Sequence, residues 1–141
     1  MSNASNFVSI RVITTNVARL VDFYERATGL RADRLTEDFA ELRTPGGTLA
    51  VAGPRTLAFL APGVVRPAEN RSVIIDFLVD DVDGVYKNLA GFVEDFVNEP
   101  TTMPWGNRSL LFRDPDGNLV NFFTPVTPAA AERFSAAELT R

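Results

Sequence analysis

The chain has 141 residues, 45% of them hydrophobic, which suits one globular domain with a sizeable core. It contains no cysteine, which excludes disulfides, thiolate metal sites and cysteine nucleophiles, and no histidine, which removes the commonest general base and a common ligand of zinc, iron and nickel. A formal charge of −4, a pI near 4.8 and scattered arginines argue against a nucleic-acid partner, and no run is long and apolar enough for a membrane span.

Residues 1–6 are polar and read as a disordered or tag-like N-terminus without the basic and apolar regions of a signal peptide, so a cytoplasmic protein is expected. Residues 7–13 alternate, with Val8, Ile10 and Val12 on one face and Ser9 and Arg11 on the other, the period of a strand with one apolar side. Asn16 is placed to cap a helix over 17–28, in which Val17, Leu20, Val21 and Tyr24 recur at helical spacing and which Gly29 closes. Strands are predicted at 30–35 and 39–44, a turn at Pro45-Gly46-Gly47, and a return strand at 48–52. Residues 53–71 carry Pro54, Pro62, Gly63 and Pro67 and read as a linker inside one domain, with a strand extension predicted at 56–61.

The same order then repeats as a strand at 72–79, a helix at 81–90, a strand at 92–98 and a hairpin at 110–123. Its turn is Arg113-Asp114-Pro115-Asp116-Gly117-Asn118: Pro115 fixes φ, Gly117 and Asn118 tolerate positive φ, and Asp114 can accept from the backbone ahead of it. Asp80, Asp81 and Asp83 cluster where a helix starts, complementing its dipole and its free amides, while Glu41 and Arg43 share a strand face and are expected to neutralise each other. Phe39, Phe59, Phe92, Phe96 and Phe112 are expected in the core. Residues 126–141 are expected to form a short helix, over 128–139, or a tail, with Ser135 and Glu138 at capping-box spacing.

The two halves echo one another. Residues 42–52 read LRTPGGTLAVA and 112–122 read FRDPDGNLVNF, so that Arg43, Pro45, Gly47 and Leu49 fall on Arg113, Pro115, Gly117 and Leu119; residues 13–20 line up with 78–85 in the same way. Self-similarity on this scale marks a duplicated unit. The expected fold is α+β, with two tandem βαβββ modules, 7–65 and 72–125, forming a cup-shaped mixed sheet within a single domain over 7–125.

The segments NVARLVDFYERATGL, FLVDDVDGVYKNL and PWGNRSLLFRDPDGNLVNFF, in this order on a repeat, resemble the vicinal oxygen chelate superfamily. That superfamily includes glyoxalase I, extradiol dioxygenases, fosfomycin-resistance enzymes and bleomycin-resistance proteins, and the pattern is most similar to the bleomycin-resistance-like members. The resemblance implies a ligand held inside a cup and a homodimer. Metal-binding members place ligands, usually His and Glu, at four matching points, which the repeat carries onto Ser9, Val51, Ile74 and Asn121. Two aliphatic and two neutral polar side chains make a poor donor set for a divalent ion, so no metal and no other cofactor is expected.

By the same alternation the cup would be lined by Ser9 and Arg11, Ile74 and Asp76, Leu49 and Val51, and Leu119, Asn121 and Phe123. Arg11 and Asp76 occupy equivalent repeat positions, either as a structural ion pair or as anchors for an anionic group and for an amine or hydroxyl of a ligand. Trp105 stands in a PWG segment like the one that borders the ligand groove in bleomycin-resistance-like members, where it either packs at the rim or offers a stacking wall. The candidate ligand-binding set is therefore Ser9, Arg11, Val51, Ile74, Asp76, Trp105, Asn121 and Phe123. The expected function is a metal-free protein that sequesters a small, partly aromatic molecule. The alternative is a lyase, isomerase or dioxygenase-like enzyme of the same superfamily, with Asp76 or Glu41 as base and Arg11 stabilising an oxyanion.

Overall fold

A computed structural model describes residues 4–135 and divides into two compact units, Met1–Pro67 and Ala68–Arg141. Each unit is a βαβββ module with its own four-stranded mixed sheet, so the expected duplication is present as two sheets rather than one.

The first unit contains β1 (Ser9–Ile13), α1 (Val17–Thr28), β2 (Asp33–Thr36), β3 (Phe39–Thr44) and β4 (Gly47–Ala52), in the sheet order β1-β4-β3-β2. Helix α1 begins where Asn16 accepts from the Arg19 amide at 3.0 Å and ends at Gly29, whose φ of 74° is the left-handed conformation glycine reaches without strain. It buries Leu20, Val21, Tyr24 and Ala27, one face of the helix, on β3 and β4. The sheet answers with Val12, Ala40, Leu42, Leu49 and Val51, all buried. Truncating a side chain as enclosed as Leu42 would cost roughly 2–5 kcal/mol.

The second unit contains β5 (Ile74–Leu78), α2 (Val82–Leu89), β6 (Thr101–Thr102), β7 (Asn107–Arg113), β8 (Leu119–Pro125) and α3 (Pro128–Arg133), with sheet order β5-β8-β7-β6. Asp81 caps α2 by accepting from the Gly84 amide. Under that helix runs a series of edge-to-face rings: Phe77 on Phe122, Phe122 on Phe112, Phe112 on Phe96, and Phe96 on Tyr86 of α2 itself. Such pairs are worth about 0.5–1.5 kcal/mol each beyond their area.

The two hairpins differ in their turns. Thr44 pairs with Gly47 across only Pro45 and Gly46, and the Thr44 hydroxyl closes the loop by donating to the Gly47 carbonyl at 2.6 Å. Arg113 pairs with Leu119 across residues 114–118. There the buried Asp114 carboxylate accepts from the Asp116 and Asn118 amides, each at 2.9 Å, and from Asn118 Nδ2 at 2.8 Å, while Gly117 takes a φ of 85°.

Several expectations are corrected. Residues 56–61 form no strand: Pro54 starts a 3-10 turn over Pro54–Leu57, and Phe59, with no sheet to pack on, is 83% exposed rather than in the core. The strand expected at 92–98 is reduced to a single bridge, Phe96 to Phe112, because the Asn98 side chain takes over the ladder. Asn98 Oδ1 accepts from the Leu111 amide at 2.7 Å, and Nδ2 donates to the Ser109 carbonyl. Pairing resumes only at β6, past Pro100. Helix α3 is capped by Thr127, ahead of the predicted Ser135, and Glu138 lies outside the described residues. No helix among the described residues is long and apolar enough to cross a membrane.

Candidate functional site

Strand alternation gives each sheet one face on its helix and one turned away from it. In the first unit the register sets Ser9, Arg11 and Ile13 beside Thr48, Ala50 and Ala52, and these beside Arg43, Glu41 and Phe39, on the face away from α1. Glu41 accepts from Arg43 Nε at 3.2 Å and Nη2 at 2.9 Å, and Asp33 lies 3.4 Å from Arg43 Nε, so this carboxylate is neutralised as its sequence position suggested. Arg11 is exposed and has no hydrogen bond or ion pair among the described residues. Beyond the end of β1 a pocket of about 250 Å³ is lined by Ile13, Pro54, Leu57, Leu60, Pro62 and Val65.

Leu49 and Val51 do not join this face. They are in register with Ile10 and Val12, on the helix side, and Val51 is fully buried. Since Ser9 pairs with Thr48 while Ile74 pairs with Leu119, the residue equivalent to Asn121 is Ala50. The ungapped repeat alignment goes out of register at the turn, because from the aligned Arg43 and Arg113 the first hairpin returns one residue sooner: Arg43 pairs with Thr48 across four residues and Arg113 with Leu119 across five. A slip of one residue exchanges the faces of a strand.

In the second unit the face away from α2 carries Ile74, Asp76 and Leu78 from β5, Leu119, Asn121 and Phe123 from β8, and Ser109, Leu111 and Arg113 from β7. Four of the sequence-predicted residues, Ile74, Asp76, Asn121 and Phe123, are thus brought together. Asn121 Nδ2 donates to Asp76 Oδ1 at 2.9 Å. Asn121 Oδ1 is buried without a hydrogen-bond partner. Phe123 is already covered, its ring meeting Phe134 edge-on at 5.0 Å, and the Arg133 guanidinium lies over the Phe134 ring. Sequence reasoning missed Leu111 and Phe134, the second because it follows a helix whose end carries no strong stop signal.

Trp105 stands apart from this group. It occupies the turn between β6 and β7, 65% exposed, where Gly106 donates to the Met103 carbonyl. Asn107 is in register with Pro125, four residues beyond Asn121, which is roughly 13 Å along the strand. Gly106 has a φ of 96° and lies against Thr127 and Ala130, so this turn is held by the start of α3.

The four points to which the resemblance assigns metal ligands are therefore Ser9 and Ala50 in one unit and Ile74 and Asn121 in the other. A hydroxyl, a methyl, a butyl side chain and one amide do not fit a divalent ion, which wants three or four carboxylate, imidazole or similar donors. No group of three His, Cys, Asp or Glu among the described residues is arranged to hold one either.

Residues 6–122 match the sequence model of the Glyoxalase/Bleomycin resistance protein/Dioxygenase superfamily. The chain is 28% identical over 122 residues to an uncharacterized protein, YwbC, of Bacillus subtilis (strain 168), a match covering 79% of this chain and 91% of that one. Similar solved structures include a glyoxalase/bleomycin resistance protein/dioxygenase from Nocardioides, with a TM-score of 0.71, 20% identity and coverage of 91% of this chain and 88% of that one. A glyoxalase/bleomycin resistance protein/dioxygenase family enzyme from Burkholderia phytofirmans PsJN has a TM-score of 0.74 and 15% identity, covering 86% of this chain and 100% of that one. TioX from Micromonospora sp. ML1 has a TM-score of 0.63 and 26% identity, with the same coverages of 86% and 100%.

Proposed function

This chain belongs to the Glyoxalase/Bleomycin resistance protein/Dioxygenase superfamily, and we propose that within it the protein binds and sequesters a small, partly aromatic molecule without a metal ion. The observation that carries this reading is the make-up of the sheet faces turned away from the helices. Where metal donors would stand they present Ser9, Ala50, Ile74 and Asn121, and around Asn121 they present aliphatic side chains with one carboxylate–amide pair. A mostly apolar surface with few fixed polar groups is the usual make-up of a small-molecule site. Both candidate bases are already engaged as acceptors, Glu41 by Arg43 and Asp76 by Asn121, which favours recognition over proton transfer. The exposed indole of Trp105 supplies a flat wall at the end of the second sheet. The reading includes a homodimer, supported by exposed apolar side chains at Phe7, Val8 and Leu35.

A thermal-shift screen followed by mass analysis of the bound compound tests the proposal. Recovery of the intact compound after long incubation is the expected result, and recovery of a chemically altered one would make the protein an enzyme. A clean monomer by light scattering would remove the dimer.

A further inference from the structure

We propose that the second unit recognises an ammonium group on its ligand, held between Asp76 and Asn121. This assigns a ligand class to the binding function above and rests on that reading.

Donors and acceptors decide the class of ligand. A side-chain amide has two N–H donors and one carbonyl acceptor, and an ionised carboxylate only accepts. Asn121 spends an N–H on Asp76 Oδ1 at 2.9 Å, and its own Oδ1 is left buried without a partner. Turning the amide over would not help, since that would set its oxygen against the Asp76 carboxylate at hydrogen-bond distance, acceptor facing acceptor. The orientation is therefore fixed by Asp76: the pair presents the rest of an exposed carboxylate, and the enclosed amide oxygen is a second acceptor that a visitor reaches by displacing the side chains packed over it.

Asp76 forms no ion pair among the described residues. Arg113, the cation that the strands set on the same face, donates to the Gly117 carbonyl at 2.9 Å and is thereby tied to the turn, and the Arg133 guanidinium lies over the Phe134 ring. An anion would be repelled here, and a hydroxyl has a single proton for two acceptors. A protonated amine brings two or three N–H donors and the opposite charge, which makes each bond charge-assisted. Ile74 and Leu78 flank Asp76 along β5, and Leu111 and Leu119 flank Asn121, so the cation must carry an apolar body.

Benzylammonium and its neutral counterpart benzyl alcohol test this on the full chain, with affinities from calorimetry and the Asn121 side-chain amide followed by NMR. The expected result is a preference of about tenfold or more for benzylammonium, with the Asn121 signal moving on titration. Asp76→Asn, which removes the charge and keeps the shape, should reduce that preference to about twofold or less. Asn121→Leu gives an independent second variant and should do the same. Equal affinities, or a preference that survives both substitutions, would overturn the ammonium site while leaving sequestration standing. Failure of both probes to bind would overturn it too, whereas sequestration itself falls only if the broader screen returns an altered compound or none.

Discussion

Replacing Asn121 by leucine should stabilise the fold while it weakens the preference for an ammonium ligand. The asparagine Oδ1 is buried without a partner, and an unmade hydrogen bond of that kind costs about 1–3 kcal/mol, a penalty leucine removes while keeping the same branching at Cγ. Against this stands the lost bond to Asp76, but that carboxylate is exposed and water can replace the donor, so the loss is about 0.5–1 kcal/mol. The difference favours the variant by roughly 1 kcal/mol. Unfolding entropy scales with length, and for 141 residues it is on the order of 0.3 kcal/mol per kelvin, so Tm should rise by about 3 °C. Calorimetry of both proteins, with urea midpoints at unchanged m-value, measures it. A fall of about 3 °C or more would mean that Oδ1 is satisfied in the folded protein, and the acceptor argument for the ligand would go with it. The expected outcome is a stability gain bought by function, the usual direction at binding sites.

The Asp114 network makes Asp114→Ala cost roughly 3 kcal/mol, or about 10 °C, because three donors lose a buried carboxylate. Asp114→Asn keeps the backbone bonds and should lose about half as much, so equal effects in thermal melts would contradict the network. The Arg108 guanidinium, bonded to Asp83, holds that carboxyl below its ordinary value of 3.8. A depressed folded pKa means a stabilising contribution that is present above 3.8 and lost as the pH falls through the folded value. NMR titration of Arg108→Gln should show the Asp83 pKa rising, and an unchanged value would rule out the pair. Gly106→Ala forces a side chain into φ 96° and against Thr127 and Ala130, and should cost roughly 2–3 kcal/mol with earlier proteolysis at α3. Unaltered stability would show that α3 does not depend on this turn. A chelator should leave Tm unchanged, since Ser9, Ala50, Ile74 and Asn121 are not a metal's donors; a fall of several degrees with release of a stoichiometric ion would refute that.

Much of the fold was legible because its signals are local. Asn16 and Gly29 bound α1, and Asp81 starts α2, since a cap needs only the few residues beside it. The turn at Asp114-Pro115-Asp116-Gly117-Asn118 was readable for the same reason: its bonds run between residues at most four apart. The duplication was legible through the order of elements. The strand expected at 92–98 failed on a contact of longer range, in which Asn98 bonds β7 with its side chain and displaces the backbone. Propensity cannot foresee which of the two will win.

Of the candidate site, residues on first strands were placed correctly by alternation alone: Ser9 with Arg11, and Ile74 with Asp76. Residues after the hairpins were not equally secure. Arg43 pairs with Thr48 across four residues and the aligned Arg113 pairs with Leu119 across five, and this difference of one residue moves Val51 under α1 and puts Ala50 where Asn121 stands in the second unit. The sequence by itself determined where the helices and turns lie and that the module occurs twice, because these follow from neighbours along the chain. Only the tertiary structure decided which side of each return strand turns away from its helix, because side chains alternate with a period of two and a single residue in a loop reverses every one of them.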